Sequence, residues 1–491
     1  MKDYIIINPI DNVAVVLRPF TKGEVIEGIT LLEDIPQAHK VALKPIKENE
    51  DIIKYGNPIG HATKDIAAGE HVHTHNVATN LDDVITYEYH PNYPQVLGYK
   101  SDRTVEVYER ENGECGIRNE LWIVQTVGCV SGMAKDIIDK FKEEYDTSAI
   151  DGVYTFQHPF GCSQMGGDLA LTRLLLQDMV KHPNTGAVLV LGLGCEENLV
   201  STFKDTLGDY NPKRVKFLNS QDVSDEVTEG AKILKELYDE MKNDKRVTKP
   251  LSCLRIGLKC GGSDGMSGIT ANPLLGRFSD FLSINNATTV LGEVPEMFGA
   301  EKLLMARAKD EETFEKIVTL INDFKIYFKN HNQVIYDNPS PGNKKGGITT
   351  LEDKSLGCTQ KAGASVVNDV LKMGERIKST GLNLLSTPGN DLVAVTTLAC
   401  AGCQMVLFTT GRGTPFGGFV PTVKVATNTT LATKKDNWID FNAGDLVDKK
   451  NMDELLEDFI DLICDVASGK KTKNELNRFR EISIFKDGVM L

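Results

Sequence analysis

Residues 186–198 read GAVLVLGLGCEEN. An unbroken apolar run that ends on glycine and cysteine is too short for a membrane span, and it reads as a strand buried on both faces. The flanking sequence supports that reading. Upstream lies GGDLALTRLLLQDMVKH (166–182) and downstream SDEVTEGAKILKELYDEMKND (224–244), both with helical spacing, while LWIVQTVGC, VYTF and VKFLN supply further apolar runs. Strand and helix alternate, which predicts βαβ units around a mainly parallel sheet with helices on both faces.

The same texture returns after the charged segment NDKRVTKP at 243–250. LRIGLKC, TTVLGEV, GLNLLST and MVLFTTG read as strands, with helices expected near 274–286, 311–330, 362–376 and 453–468. Residues 1–80 differ: short alternating segments such as VAVVL, HKVALKPI and EHVHTHN are separated by Gly, Pro and Asn, the pattern of a small β-rich domain. The expected organisation is therefore a β domain over 1–80, a connector over 81–117, and α/β lobes over 118–248 and 249–491.

Composition narrows the function classes. Asp and Glu number 69 against 55 Lys and Arg, a net charge of −14 that repels nucleic acid and anionic membrane surfaces. The N-terminal stretch lacks the apolar core of a secretory signal, so a cytoplasmic location is expected. Ten cysteines are too few for a disulfide scaffold in a chain of 491 residues and are read as buried thiols or ligands.

Two regularities point to chemistry. Residues 69–76, GEHVHTHN, place His71, His73 and His75 at two-residue spacing, three of only nine histidines. On a strand all three imidazoles would share one face, as metal or substrate ligands require, with further donors drawn from the lobes. The second regularity is Gly-Cys after apolar runs, at Cys129, Cys162, Cys195, Cys358 and Cys403, with the order inverted at Cys260. Strand ends of α/β sheets form ligand crevices, and one crevice shared by these cysteines is expected. Nucleotide chemistry is excluded on pattern: Glu197 stands where the third glycine of a GxGxxG would be, and no phosphate-loop GxxxxGK[ST] occurs. The lone CxxC at 400–403 defines no metal or redox centre. Glycine-rich polar loops at 158–168, 259–273, 338–363 and 410–419 suit a small polyanionic or polyhydroxy ligand.

The strings YGNPIGHATKDIAAGEHVHTHN, ELWIVQTVGCV, GAVLVLGLGCEEN, KCGGSDGMSGITANPLLGRFSDF, EVPEMFGAE and NPSPGNKKGGITTLEDKSLGCTQKAG resemble the altronate/galactarate dehydratase family nearly end to end. The resemblance implies an N-terminal SAF (β-clip-like) domain and hydro-lyase activity with Fe2+ or Mn2+. The implied reaction removes water from D-altronate to give 2-dehydro-3-deoxy-D-gluconate, and the HxHxHN string favours altronate over galactarate. On the matching motifs, the metal is expected at His71, His73 and His75, with His71 as ligand or orienting group. His158 is expected as base or acid, with Glu197 and Asp264 as secondary choices, while Lys344, Lys361 and Arg412 hold the carboxylate and hydroxyls of a sugar acid. Homo-oligomerisation stays open. So do a thiolate-ligated iron or iron–sulfur centre on Cys129, Cys162, Cys195 and Cys260, and a non-catalytic carbohydrate-binding role for the SAF domain.

Overall fold

The computed structural model describes residues 3–491. The N-terminal β domain contains an antiparallel sheet ordered Tyr4–Ile5, Val13–Val16, Lys40–Ala42, His71–Val72, and a second of Asp51–Lys54, Asn57–Ala62 and Val77–Ala78. Strand alternation divides its apolar residues between two small cores. Ala14, Val16 and Val41 pack with Phe20, Ile26 and Ile35. Val13, Ala42, Ile52, Ile59 and Val72 form the other, which also takes in Ala300 and Leu356 from the second lobe. The β domain is thus docked through part of its own core.

In the first α/β lobe four parallel strands run in the order Gly152–Thr155, Glu120–Gln125, Thr185–Gly192, Val215–Asn219. The quoted apolar run is central, and its eight strand residues are all buried. Leu121, Ile123, Ala187, Leu189 and Leu191 face the helices Ser131–Glu144 and Glu226–Met241. Trp122, Val124, Val188 and Val190 face the helix Gly166–Val180, in a core continuous with Val395, Leu398, Phe408 and Phe419 of the second lobe. The two lobes share apolar packing on that side.

The second lobe holds seven strands, ordered Val367–Leu371, Gly381–Leu385, Thr288–Leu291, Arg255–Cys260, Met405–Thr410, Thr422–Ala426, Phe441–Asn442, every pair parallel. The helix expected at 362–376 is instead the edge strand Val367–Leu371: its buried residues are the two ends of the strand, and its partly exposed middle imitates helical spacing. Among the segments the sequence reading missed is the helix Asp391–Cys400, buried almost throughout and so without an amphipathic signature.

The connector expected over 81–117 and the charged segment at 243–250 are also joined in a way the sequence did not announce. Residues 81–103 are irregular, but Thr104–Glu109 is a strand and pairs antiparallel with Val247–Pro250, from Thr104 opposite Pro250 to Val107 opposite Val247. The chain enters and leaves the first lobe along this pair. No helix of the described residues is long and apolar enough to cross a membrane.

Candidate metal and substrate site

The histidine row is not a strand. Only His71 and Val72 are extended, and residues 73–76 form a turn that carries the chain from that strand to Val77–Ala78 in the other sheet of the β domain. Asn76, fully buried, builds the turn: its Oδ1 accepts from His73 N at 2.9 Å and its Nδ2 donates to the His71 carbonyl at 2.9 Å. The neighbouring strand brings in a fourth imidazole. Lys40 pairs with Val72 and Val41 with His71, and continuing that register sets His39 opposite His73. His39, His71 and His73 offer nitrogens within 4.8 Å of one another. Ring centroids lie 5.0 Å apart for His39 and His71, 4.8 Å for His39 and His73, and 5.4 Å for His71 and His73. His75 stands outside this group, its ring 5.5 Å from that of His71, exposed and beside Glu33 and Glu70. His39 carries no sequence signal of its own; only the strand register reveals it.

All three rings are held neutral. Burial pushes His71 down to about 3, reinforced by His39 and His73, and pushes His73 down to about 4 with help from Lys40. Burial likewise lowers His39. His39 Nδ1 and His71 Nε2 share a hydrogen bond of 2.9 Å, while His73 Nδ1 is buried with no partner. A buried ring nitrogen left unpaired is costly unless something ligates it. Three neutral imidazoles that each offer a nitrogen within 4.8 Å of the others therefore fit a borderline divalent transition metal, which would take the place of the His39–His71 hydrogen bond.

The group sits at the seam between the β domain and the second lobe. Gly347, at φ +98°, lies so close that a Cβ there would fall 2.3 Å from the Ala38 carbonyl, and its carbonyl accepts from Lys40 Nζ at 2.8 Å. Lys40 and Lys54, both fully buried, each reach Asp353 at 2.9 Å. Burial and Lys54 together push Lys40 down to about 8 despite Asp353. Burial alone would raise the Asp353 carboxyl, but the two ammonium groups hold it well below the usual range. Thr350, which caps the helix Leu351–Cys358, donates to the Ile59 carbonyl at 2.5 Å.

The glycine-rich loops of the second lobe meet this seam. Gly265 N donates to the Gly346 carbonyl at 2.7 Å, and the Arg412 Nε lies 3.7 Å from where a side chain on Gly342 would begin. Lys344 is half-buried and Arg412 exposed. Asp264 is tied up, accepting from Ser267 Oγ, Thr427 Oγ1 and Asn428 Nδ2 at 3.0–3.2 Å, so it braces these loops. Lys361 does not face a ligand: it is 1% exposed and 3.4 Å from Glu293, beside a buried group of Cys260, Glu296 and Cys358.

His158 and Glu197 lie in the first lobe. His158 is buried, with Nε2 on the Gln125 carbonyl at 2.9 Å and Nδ1 accepting from Phe160 N at 3.3 Å. Both nitrogens are spent on backbone, so the ring shapes a turn and has no free site for a substrate proton. Glu197 is exposed and accepts from Ser163 N at 2.7 Å, a contact that lowers its carboxyl. The Gly-Cys cysteines do not share one crevice either. Cys129, Cys162 and Cys195 follow strands of the first sheet, Cys260 and Cys358 lie 3.2 Å apart in the second lobe, and Cys403 is buried in the core between lobes.

Comparison with known proteins covers nearly the whole chain. Residues 2–80 match the altronate/galactarate dehydratase SAF domain, 107–242 the second domain of D-galactarate dehydratase/altronate hydrolase, and 251–490 the D-galactarate/altronate dehydratase C-terminal domain. The chain is 59% identical to an altronate dehydratase of Escherichia coli K12 over 99% of its length and all of that protein. It is 57% identical to an altronate dehydratase of Bacillus subtilis 168 over the full length of both, and 33% identical to an E. coli galactarate dehydratase (L-threo-forming) over 95% of this chain and 93% of that one. An SAF domain presenting imidazoles to an α/β body, with such relatives, defines an enzyme of the hydro-lyase class. The chain belongs to the altronate/galactarate dehydratase family.

Proposed function

We propose that the protein dehydrates D-altronate to 2-dehydro-3-deoxy-D-gluconate, with Fe2+ or Mn2+ held by His39, His71 and His73. The observation that carries this reading is the buried, unpartnered Nδ1 of His73 within a group of three neutral rings. The names of the two relatives at 59% and 57% identity support the substrate.

The hydrogen on C2 of a sugar acid is weakly acidic, because its removal places a second negative charge on the adjacent carboxylate. A bound divalent cation supplies charge neutralisation there and polarises oxygen ligands. Arg412 and Lys344, on facing loops, offer the positive charge that holds the carboxylate, Arg412 with two parallel donors. His75 is the base we assign to the C2 proton: it is exposed at the rim of the imidazole group, and Glu33 and Glu70 stand beside it to orient the ring. The C3 hydroxyl leaves with a proton as water, and the C2 enol so formed gains a proton at C3 and loses its hydroxyl proton to become the 2-keto-3-deoxy acid.

The test is anaerobic assay of the purified protein, loaded with Fe2+ or Mn2+, against a panel of aldonates and aldarates, measuring 2-keto-3-deoxy acid. Turnover of altronate above all others is expected. Preferential turnover of galactarate would move the substrate, and binding without turnover across the panel would leave only a carbohydrate-binding role.

A further inference from the structure

Three neighbouring strands of the first lobe, Gly152–Thr155, Glu120–Gln125 and Thr185–Gly192, each lead at their carboxyl ends into a Gly-Cys turn, bearing Cys162, Cys129 and Cys195 respectively. The turns are stitched together. Gly128 N donates to the Phe160 carbonyl at 2.9 Å, Asn198 N to the Gly161 carbonyl at 3.0 Å, and Asn198 Nδ2 to the Thr126 carbonyl at 3.0 Å. Glu196 binds Thr126 Oγ1 at 2.7 Å and Gly194 N at 2.7 Å. Gly161, at φ +99°, could carry no side chain, since its Cβ would lie 2.1 Å from the Thr126 carbonyl.

This scaffold holds its thiols outward. Cys129 and Cys195 are exposed and Cys162 is half-buried, all three free, whereas Cys260, Cys358, Cys400 and Cys403 are buried. Each of the three turns also leads into a helix, at Ser131–Glu144, Gly166–Val180 and Val200–Leu207. The Ser163 hydroxyl lowers the Cys162 thiol, but the neighbouring Glu197 and Cys129 outweigh it and push the thiol up, so iron must displace that proton; Gln221 Nε2 donates to Cys195 Sγ at 3.5 Å. In the Cys162 turn, Gln164 is 2% exposed and its Nε2 has no partner, a donor left over in the lining.

We propose that Cys129, Cys162 and Cys195 form a three-thiolate site for a [4Fe–4S] cluster, separate from the imidazole site and independent of the function proposed above. Spacing decides between a cluster and a single ion. Thiolates around one zinc-like ion sit about 3.8 Å apart, given metal–sulfur bonds of roughly 2.3 Å. Cys129, Cys162 and Cys195 sit in turns after three neighbouring strands and do not all fall within 4.8 Å of one another, a wider spread than one ion gathers and one that matches a polynuclear centre. Binding exchanges three thiol protons for three iron–sulfur bonds and leaves the fourth iron without a thiolate from this trio.

The test is anaerobic reconstitution of the full-length protein with equal amounts of ferrous and ferric iron and with sulfide, which together supply the oxidation level of a [4Fe–4S]2+ cluster. We expect a broad visible charge-transfer band and about four iron and four acid-labile sulfide per chain. Cys129→Ser, Cys162→Ser and Cys195→Ser should each lose most of the band and sulfide while keeping the far-ultraviolet dichroism of the parent, and Cys464→Ser, on the helix Met452–Ala467, should keep both. His73→Ala should also keep the band, which separates this site from the imidazole site. Absence of labile sulfide in the parent, one metal ion per chain without sulfide, or a band that survives all three serine variants would each overturn the proposal.

Discussion

The rings of His39 and His73 lie 4.8 Å apart, centroid to centroid, because the antiparallel register of Lys40–Ala42 against His71–Val72 sets one beside the other. The imidazole group is therefore a product of strand pairing, and its members should respond individually to substitution.

His73→Gln should release Fe2+ or Mn2+, weakening binding on the order of 100-fold or more, since even supporting residues of metal sites are worth 10–100-fold. His75→Gln should leave metal content unchanged and lower kcat by about 10²–10⁴, the usual worth of a positioned base. Metal analysis alongside steady-state kinetics checks both. A His75 variant that loses metal would make that residue a ligand.

Asn76→Ala should destabilise the protein by about 1–3 kcal/mol, because it strands the His73 amide and the His71 carbonyl in a buried turn. Metal affinity should fall with it, and excess metal should restore activity. Urea unfolding and metal titration together measure the effect; unchanged metal affinity would deny the turn a role in setting the site.

Asp353→Ala leaves Lys40 and Lys54 buried side by side without their shared counter-charge. A loss of about 3–5 kcal/mol is expected from breaking such a pair. Limited proteolysis should then cut at the seam between the SAF domain and the second lobe. A variant as resistant as the parent would show that the seam is held by apolar packing alone.

Arg412→Ala should raise KM for the sugar acid about 10-fold or more, the worth of a charge-assisted contact, with little change in Tm. Lys361→Met should do the reverse, lowering Tm without a selective rise in KM, because Lys361 is sealed against Glu293. Opposite outcomes would exchange their roles.

Asp178 supplies a pH dependence. Burial pushes its carboxyl up to about 7, against Arg376 and Lys181, and its Oδ2 has no partner. The folded state then holds a proton that the unfolded chain releases near its ordinary value of about 4. Stability contributed by that proton is present below about pH 4 and is lost as pH rises to 7. Asp178→Asn should therefore stabilise the protein at pH 8 and change little at pH 4, as thermal melts at the two values will read.

The apolar run at 186–198 was legible because a central parallel strand leaves a continuous hydrophobic signal, and the segments around Arg255–Cys260 and Met405–Thr410 were legible for the same reason. Val367–Leu371 and Asp391–Cys400 were not: an edge strand can borrow helical spacing, and a fully buried helix loses it. At the imidazole site, His71 and His73 announced themselves by spacing, while His39 required the pairing of Val41 with His71. His158 and Lys361 misled because residue type says nothing of whether backbone or Glu293 has already claimed the polar atom.

The antiparallel pairing of Thr104–Glu109 with Val247–Pro250 makes everything between them a closed loop clasped at its base. A peptide bond cut on the surface of that loop would free no long tail, since both new ends stay anchored to the same clasp. The lobe bearing the three outward thiols is, in its wiring, a cassette inserted into a chain whose remainder runs from the SAF domain to the seven-stranded sheet.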